Sequence, residues 1–338
     1  YPQMKQWTLY VNSLAKNEER KKLYNQETTS TIYQGLGDWC PPLYELTDPT
    51  PVEFTSTAFH YLDTEIMEQV AHLLGKESDE AYFSLQKEQI AQEMIATQYD
   101  PVNKTFGTQT ADAMALDLGI VPPGDERAVS ASIVRSMQDK SEGFMQCGIF
   151  GISRIGSMLA RNGNAEAAWN MFTKKGENSF EWMWESADAT TLWETLPVNG
   201  LSQKSAANSS YNHPMQTGFD ITFFEDIAGI RPDAAGFGFK VIRFQPLFCD
   251  YLPWAKASIE TPYGNVSSSW KKEDKRFEWD LTIPPNSTGW VIPPFQQEFT
   301  VNGEKMENFN FLQIETDDGN TNYKFPSGNF KIVCHNIK

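Results

Sequence analysis

The chain has 338 residues and a formal net charge of −16 at pH 7, and hydrophobic residues make up 40% of it. A chain of this length can form two or more domains, each with its own core. The acidic balance argues against a nucleic-acid partner, because no surplus of Lys and Arg is present to neutralise phosphates. No apolar stretch approaches the ~18 residues that a membrane-spanning helix needs, so we expect no membrane span.

From Met4 to about Ile230 the apolar residues recur with the period of α-helices. One apolar stripe with steps of three and four residues ends before Gly75, which can adopt the positive φ of a helix C-cap. This stripe consists of Phe59, Leu62, Ile66, Val70 and Leu73. Further helices are predicted over about 79–96, 108–118, 125–139, 149–161, 165–174 and 214–227. Helices of this length and spacing indicate repeated helical hairpins, and one architecture of this kind is a toroid whose inner helices point at a central pocket.

Beyond about Pro232 the pattern changes to short alternating segments with Pro, Gly and Asn between them. Alternation with a period of two residues is typical of β-strands. The segments begin near Phe237, Trp254, Val266, Phe277, Gly289 and Phe330. We therefore predict a helical domain over 1–232 and a C-terminal β-sandwich over 233–338.

The cysteines and histidines show none of the spacings that metal sites use. The four cysteines are scattered without a CxxC pair, and no His-Glu-x-x-His motif is present. A glycine-rich phosphate loop and a Gly-x-Ser-x-Gly nucleophile elbow are also absent from the sequence. We expect neither metal nor cofactor, and carboxylates are the best candidates for general acid–base chemistry. The sequence leaves the compartment open among periplasm, extracellular space and cytoplasm.

The first candidate site is the loop Gly35-Leu-Gly-Asp-Trp-Cys-Pro-Pro, which presents Asp38 beside Trp39. A carboxylate can accept hydrogen bonds from sugar hydroxyls while an indole ring packs on the apolar face of the sugar. The alternative is that Asp38 shapes the turn and Trp39 is buried.

The second candidate site is the segment that leads to Glu194, where three tryptophans and four acidic residues fall within 15 positions. Glu194 follows Trp193 and lies shortly after Thr190 and Thr191. A partly desolvated carboxylate with hydroxyl donors nearby can hold a water molecule and take its proton, so we predict that Glu194 is catalytic. The alternative is a surface glutamate on an aromatic-rich turn.

The third candidate is His213 in Ser209-Ser-Tyr-Asn-His-Pro-Met. A neutral histidine can donate to a sugar hydroxyl from one ring nitrogen and be oriented through the other. Alternatively, His213 caps the helix predicted to begin at Pro214.

Taken in order, these motifs resemble those of the bacterial α-L-rhamnosidases of glycoside hydrolase family 78. The helical part contributes Gly37-Asp-Trp, Gly107-Thr-Gln-Thr-Ala-Asp-Ala-Met-Ala-Leu, Thr190-Thr-Leu-Trp-Glu and Asn212-His-Pro. The C-terminal part contributes Ala255-Lys-Ala-Ser, Thr261-Pro-Tyr-Gly and Ile283-Pro-Pro-Asn-Ser. The resemblance covers about 30–295 and implies an (α/α)6-barrel-type helical toroid followed by a β-sandwich.

The resemblance implies an inverting exo-hydrolase that removes terminal α-linked L-rhamnose from a glycoside or polysaccharide. Glu194 matches the general base of the family. Asp38 and His213 match sugar-binding residues. Trp39 and Trp193 flank these positions and are further candidates for sugar contact.

One part of the family pattern is not found in the chain. In the family the general acid lies in an earlier segment that ends near Gly-Trp-x-Gly-Asp, and nothing in residues 1–37 matches it. The chain also has fewer predicted helices than a complete six-hairpin barrel. We therefore expect a toroid that is incomplete at its N-terminus, with the missing N-terminal part of the same protein as a partner. A non-catalytic sugar-binding protein, or a hydrolase or lyase of another sugar on a similar toroid, is the alternative function.

Overall fold

The structure is a computed structural model that describes residues 1–16, 28–39, 41, 49–177, 179–194, 210–247, 252–295, 297–315 and 321–335. The chain divides into two compact units, Tyr1–Gly218 and Phe219–Lys338. The predicted order of a helical part followed by a sheet-rich part is confirmed. The domain boundary predicted at 232/233 stays a prediction.

The first unit is built from α-helices. They are α1 (Pro2–Ala15), α2 (Val52–Leu73), α3 (Glu77–Gln98), α4 (Gln109–Asp117), α5 (Glu126–Ser141), α6 (Ile149–Arg161) and α7 (Ala165–Thr173). Helix α2 packs against α3, α4 packs against α5 and α6, and α6 packs against α7. Within the described ranges, none of the helices is long and apolar enough to cross a membrane.

Two further helical segments differ from regular α-helices. Trp182–Ser186 forms a π-helical turn after α7. The helix predicted over 214–227 is a 3₁₀ helix at Pro214–Phe219, a short α-helical stretch at Asp220–Thr222 and a π-helical turn at Phe223–Ile227. Its periodicity indicated the helical conformation but not these departures from the α-helical hydrogen-bond pattern.

Helix α2 buries a different face from the one that its apolar stripe predicted. Ile66 and Leu73 of that stripe are 38% and 58% exposed, whereas Phe54, Ala58 and Met67 are buried. The period of 3.6 residues predicts a helix correctly, but the neighbouring helices decide which side is covered. Here the core shared by α2, α3 and α4 includes small residues such as Ala58, which a stripe of large apolar residues does not reveal.

Helix α4 is enclosed, since the residues from Gln109 to Ala115 are all buried. Thr108 caps its N-terminus, and the Thr108 hydroxyl accepts a hydrogen bond from the Ala111 N–H at 3.1 Å. The Thr108 and Thr50 hydroxyls are also hydrogen-bonded to each other at 2.7 Å. The start of α4 therefore lies against the segment that enters α2.

The second unit contains two β-sheets. The described strands are β1 (Ile230–Pro232), β2 (Val241–Phe244), β3 (Trp254–Thr261), β4 (Gly264–Glu273), β5 (Arg276–Ile283), β6 (Thr288–Val291), β7 (Phe299–Val301), β8 (Glu304–Lys305), β9 (Leu312–Glu315), β10 (Thr321–Phe325) and β11 (Gly328–His335). Their orders are β1-β2-β6-β10-β9 and β3-β4-β5-β11-β7-β8. The β2–β6 pair is parallel, and the other pairs of described strands are antiparallel.

The two sheets share one apolar core, as expected of a sandwich. Phe244 of the first sheet and Trp270 and Trp279 of the second are fully buried in it. The Trp279 indole N–H donates to the Ser268 hydroxyl at 2.8 Å, and that hydroxyl donates to the Ala228 carbonyl at 2.6 Å. The large indole rings are thus buried without leaving a polar atom unpaired.

Candidate active site

Two backbone segments that run side by side position Glu194 and His213. The Glu194 N–H donates to the Ser210 carbonyl at 2.9 Å, and the His213 N–H donates to the Leu192 carbonyl at 2.9 Å. The pairing is antiparallel, because the partner residues move in opposite directions along the chain. This pairing holds Glu194, the predicted base, and His213, the predicted sugar-contacting residue, on two segments that are hydrogen-bonded to each other.

The Glu194 carboxylate is half-buried and accepts hydrogen bonds at both oxygens. Oε2 accepts the Ser210 N–H at 3.0 Å, and Oε1 accepts the Trp39 indole N–H at 3.4 Å. The Ser210 N–H holds the pKa of Glu194 below its usual range. The Trp39 indole N–H and His213 also lower this pKa, whereas partial desolvation raises it. Glu194 is therefore ionised at neutral pH, which is the form that can take a proton.

Asp38 is buried, and its two oxygens are occupied by donors from two helices. Oδ2 accepts the Thr110 hydroxyl at 2.5 Å and the Gly148 N–H at 2.7 Å, and Oδ1 accepts the Phe150 N–H at 2.9 Å. Gly148 is the N-cap of α6 and has no side chain of its own, so Asp38 caps this helix from a distant loop. Burial raises the pKa of Asp38, and the hydrogen bonds oppose that increase.

The backbone of Trp39 is fixed to the same helix start. Its carbonyl accepts the Ile149 N–H at 3.0 Å. A Cβ atom on Gly148 would lie 2.1 Å from that carbonyl oxygen, so only glycine permits this close approach. The Trp39 side chain remains 46% exposed, and its indole N–H points to Glu194 across 155 positions of sequence. The start of α6 thus sets where the indole meets the candidate base.

Further contacts support the paired segments. The Gln216 side-chain amide donates to the Glu194 carbonyl at 3.0 Å. The Trp193 ring contacts the Tyr211 ring edge-to-face, with centroids 4.8 Å apart. Trp193 and His213 are half-buried, and Tyr211 is exposed. Aromatic side chains near Glu194 are therefore contributed by Trp193, Tyr211 and Trp39.

The structure brings four of the five predicted site residues to one place. Trp39 contacts Glu194 directly, Trp193 precedes it in the chain, and His213 lies on the paired segment. Asp38 precedes Trp39 in the chain, but the donors to the Asp38 oxygens are a hydroxyl of α4 and two backbone N–H groups at the start of α6. The sugar-contacting and catalytic roles stay predictions.

Sequence reasoning missed the residues that hold these side chains in place. Ser210 and Gln216 fix Glu194, and Thr110 and Gly148 fix Asp38. Gly148 carried a usable signal, because a glycine directly before an apolar helix can mark a close backbone approach. Nothing in the local sequence distinguished Ser210 from its neighbours.

Metal-ligating side chains and cysteines were examined within the described residues. Within the described ranges, no group of three or more His, Cys, Asp and Glu side chains is arranged to hold a metal ion. The described cysteines, Cys147 and Cys334, are buried free thiols. Burial raises the pKa of both thiols, for Cys334 to about 11, so neither is a ready nucleophile at neutral pH.

Sequence comparison matches residues 1–227 to the bacterial alpha-L-rhamnosidase 6 hairpin glycosidase domain and residues 229–307 to the bacterial alpha-L-rhamnosidase C-terminal domain. An α-L-rhamnosidase of Formosa agariphila is 26% identical over 360 residues, and one of Alteromonas sp. strain LOR is 26% identical over 308 residues. These alignments cover 98% and 87% of this chain but 35% and 32% of the two relatives. The chain therefore spans about a third of their length.

Solved structures show the same architecture. The α-L-rhamnosidase from Dictyoglumus thermophilum superposes with a TM-score of 0.80 at 25% identity, covering 98% of this chain and 36% of that one. The Streptomyces avermitilis α-L-rhamnosidase complexed with L-rhamnose has a TM-score of 0.80 at 20% identity, with 98% and 30% covered. At 20% identity, the similarity to the Streptomyces avermitilis structure shows that the fold is shared.

Proposed function

Because the chain belongs to the bacterial α-L-rhamnosidase family of glycoside hydrolases, we propose that it carries the base-bearing part of an exo-acting, inverting α-L-rhamnosidase. The substrate class is a glycoside or polysaccharide with terminal α-linked L-rhamnose. The observation that carries the proposal is the Glu194 carboxylate, half-buried beside Trp39 and with its pKa lowered by the Ser210 N–H.

In the proposed reaction a water molecule attacks the anomeric carbon of rhamnose and transfers a proton to Glu194. The bond between the anomeric carbon and the leaving oxygen breaks, and that oxygen takes a proton from a general acid. Inversion requires the two groups to lie about 6.5–9.5 Å apart, so that the water fits between Glu194 and the sugar. The donors on Glu194 keep it ionised before the reaction and leave its role as proton acceptor intact.

We assign the general acid to a segment outside this chain. Support comes from the sequence, since residues 1–37 contain no stretch that resembles the acid-bearing motif of the family. The segment that precedes this part in the family is thus the partner that completes the reaction.

The sugar is proposed to lie against Trp39, Trp193 and His213. An indole face offers apolar surface to the C–H face of the ring, and a histidine offers a donor to a hydroxyl. For Asp38 we propose a sugar contact that is secondary to its described role, because its oxygens already accept three hydrogen bonds. Its larger contribution is then to fix the position of Trp39.

The test is release of nitrophenol from para-nitrophenyl α-L-rhamnoside by the protein that includes this chain and the sequence encoded on either side of it. Glu194→Gln keeps the shape of the side chain but cannot accept the proton. We expect a loss of ~10²–10⁴-fold in kcat/KM, because general base catalysis typically contributes this factor. Circular dichroism should show unchanged folding.

Glu185→Gln is the matched control, because Glu185 is an exposed glutamate in the same aromatic-rich segment. This variant should keep the wild-type rate. Retained activity in Glu194→Gln would remove Glu194 as the base. A folded wild-type protein that binds rhamnose but releases it from no glycoside would favour a non-catalytic sugar-binding function instead.

A further inference from the structure

The 3₁₀ helix Pro214–Phe219 begins directly after His213 and lies in close contact with α6 at Gly218. A Cβ atom placed on Gly218 would lie 2.6 Å from the Ser153 Cβ and 3.1 Å from the Ser153 Cα. Ordinary contacts of a Cβ atom begin at 3.4 Å, so any larger residue at this position would push the two helices apart. The missing side chain of Gly218 therefore determines how closely the 3₁₀ helix approaches α6.

The same part of α6 also holds the backbone of Trp39. The Ile149 N–H donates to the Trp39 carbonyl at 3.0 Å, and Ser153 follows Ile149 by one helical turn. Four residues of an α-helix span about 6 Å along its axis. The loop that carries Trp39 and the 3₁₀ helix that contains Gly218 are thus attached to neighbouring turns of one helix, and both reach Glu194.

Gln216 connects the 3₁₀ helix to Glu194. Its Nε2 donates to the Glu194 carbonyl oxygen at 3.0 Å. Gln216 is 1% exposed, and its Oε1 has no hydrogen-bond partner among the described residues. Turning the amide by 180° would place Oε1 against the Glu194 carbonyl oxygen, and both of these atoms are acceptors. The observed orientation is therefore the one that makes a hydrogen bond, and it ties the Glu194 backbone to the 3₁₀ helix.

The Glu194 carboxylate is sensitive to a small movement of this helix. Its Oε1 lies 3.4 Å from the Trp39 indole nitrogen, which is already a long hydrogen bond. In Gly218→Ala the new Cβ atom must move from 2.6 Å to about 3.4 Å from the Ser153 Cβ to reach an ordinary contact. A comparable displacement of Glu194 away from Trp39 would break the indole contact.

We propose that Gly218 and Gln216 are positioning residues for Glu194, and that α6 is the common support that places Glu194 relative to Trp39. Gly218 permits the close approach of the 3₁₀ helix to α6. Gln216 transfers the position of this helix to the Glu194 backbone. The inference rests on the proposed function of Glu194 as the general base.

The experiment combines Gly218→Ala with either of two substitutions of Ser153. Ser153→Gly and Ser153→Ala both remove the hydroxyl that contacts Phe150 and Arg154, but Ser153→Gly alone also removes the clashing Cβ atom. Gly218→Ala should lower kcat for para-nitrophenyl α-L-rhamnoside by ~10–100-fold, because a misplacement of about 1 Å can cost this much. Adding Ser153→Gly should restore most of the loss, and adding Ser153→Ala should restore none.

The pH profile separates a positioning role from a loss of folded protein. A smaller folded fraction lowers kcat/KM equally at every pH. Displacing Glu194 from the Trp39 and Ser210 donors raises its pKa, so the acidic limb should move to higher pH in Gly218→Ala. The limb should return when Ser153→Gly is added. An unmoved limb, or equal losses in the two double variants, would overturn the proposal.

Gln216→Met tests the second link and keeps the proposal testable if Gly218→Ala fails to fold. Methionine has a similar length but no donor for the Glu194 carbonyl. We expect a lower kcat with KM near the wild-type value, because a buried residue that acts through the base affects the chemical step. Thr217→Ala is the matched control, since Thr217 is an exposed residue of the same helix. Equal kcat in Gln216→Met and Thr217→Ala would overturn the role of Gln216.

Failure of the positioning role and failure of the proposed function are distinguishable. If the wild-type protein releases no nitrophenol, the proposed function fails. An NMR titration of the Glu194 side-chain carboxyl carbon, assigned by its absence in Glu194→Gln, then tests the positioning without turnover. A higher pKa in Gly218→Ala that returns towards the wild-type value with Ser153→Gly would support the proposal. The same pKa in all three proteins would overturn it.

Discussion

Two carboxylates in neighbouring parts of the helical unit, Asp38 and Glu194, are held in opposite ways. Asp38 is buried, and its oxygens accept a hydroxyl and two N–H groups at the start of α6. Glu194 is half-buried and accepts one backbone N–H and one long indole contact. The first carboxylate is enclosed by the protein, whereas the second remains partly exposed to solvent.

The comparison shows how burial and hydrogen-bond donors shift the pKa values of two carboxylates in opposite directions. Burial dominates at Asp38 and raises its pKa, whereas donation dominates at Glu194 and lowers its pKa. The two are linked through Trp39, which follows Asp38 in the chain and donates to Glu194. Substitutions at each position should therefore affect different properties.

Asp38→Ala should give the largest loss of stability. It leaves the Gly148 and Phe150 N–H groups and the Thr110 hydroxyl without their acceptor inside the protein. With about 1–3 kcal/mol for each unsatisfied buried donor, we expect the free energy of unfolding to fall by about 3 kcal/mol or more in urea titrations. The exposed Glu185→Ala should change it by less than about 0.5 kcal/mol. A free energy of unfolding near the wild-type value in Asp38→Ala would contradict the view that Asp38 is held more tightly than Glu194.

Asp112 offers a second buried carboxylate to compare with Asp38. It accepts the Phe106 N–H at 2.5 Å, the Thr105 hydroxyl at 2.8 Å and the Ser132 hydroxyl. Two of its three donors are hydroxyls, which can rotate towards other acceptors. We expect Asp112→Ala to cost about 2 kcal/mol in the same urea titrations, less than Asp38→Ala. A larger loss for Asp112→Ala would contradict this order.

Asp112 should also contribute a pH dependence. Burial raises the pKa of Asp112 from its ordinary value of 3.8 to about 6 in the folded protein. Between these values the folded state binds more protons than the unfolded state, so this contribution to stability falls as the pH rises. Asp112→Asn cannot ionise, and the difference between wild type and variant should change through this window. A difference that is constant from pH 4 to 7 would contradict the raised pKa.

Trp39→Phe should give the smallest effect, which concerns pH rather than stability. It removes the indole N–H, one of the donors that lower the pKa of Glu194, while keeping an aromatic ring. A base must be ionised to act, so its activity falls as the pH drops through its pKa. The acidic limb of the kcat/KM profile should therefore move to higher pH. Trp184→Phe is the control, and an unchanged limb in Trp39→Phe would remove the indole contact from the account.

Much of the fold could be predicted from local sequence patterns. The apolar period and the Gly and Pro residues between segments predicted α3 to α7 closely, and alternation predicted the long strands such as β3 and β5. The buried face of α2 could not be predicted, because Ile66 and Leu73 are as apolar as the residues that are covered. Which face of α2 is buried depends on how α3 and α4 pack against it, and the apolar period of α2 alone does not give this information.

The candidate site could be predicted only in part. Glu194 and Trp39 were recognisable because carboxylates and indoles lie together in each segment, yet 155 positions separate the two residues. The capping of α6 by Asp38 was not predictable, since its donors lie far along the chain and are mostly backbone groups. Backbone donors carry no residue-specific signal, which is also why Ser210 was missed.

The most direct test of the central claim, that Glu194 is the base of an inverting reaction, uses Glu194→Ala with para-nitrophenyl α-L-rhamnoside and sodium azide. Nitrophenolate leaves without help from an acid, and azide can occupy the place of the activated water. We predict that the variant is slow, that azide restores nitrophenol release, and that NMR identifies the product as β-L-rhamnosyl azide. Formation of α-L-rhamnosyl azide, or full activity of the variant without azide, would contradict the account.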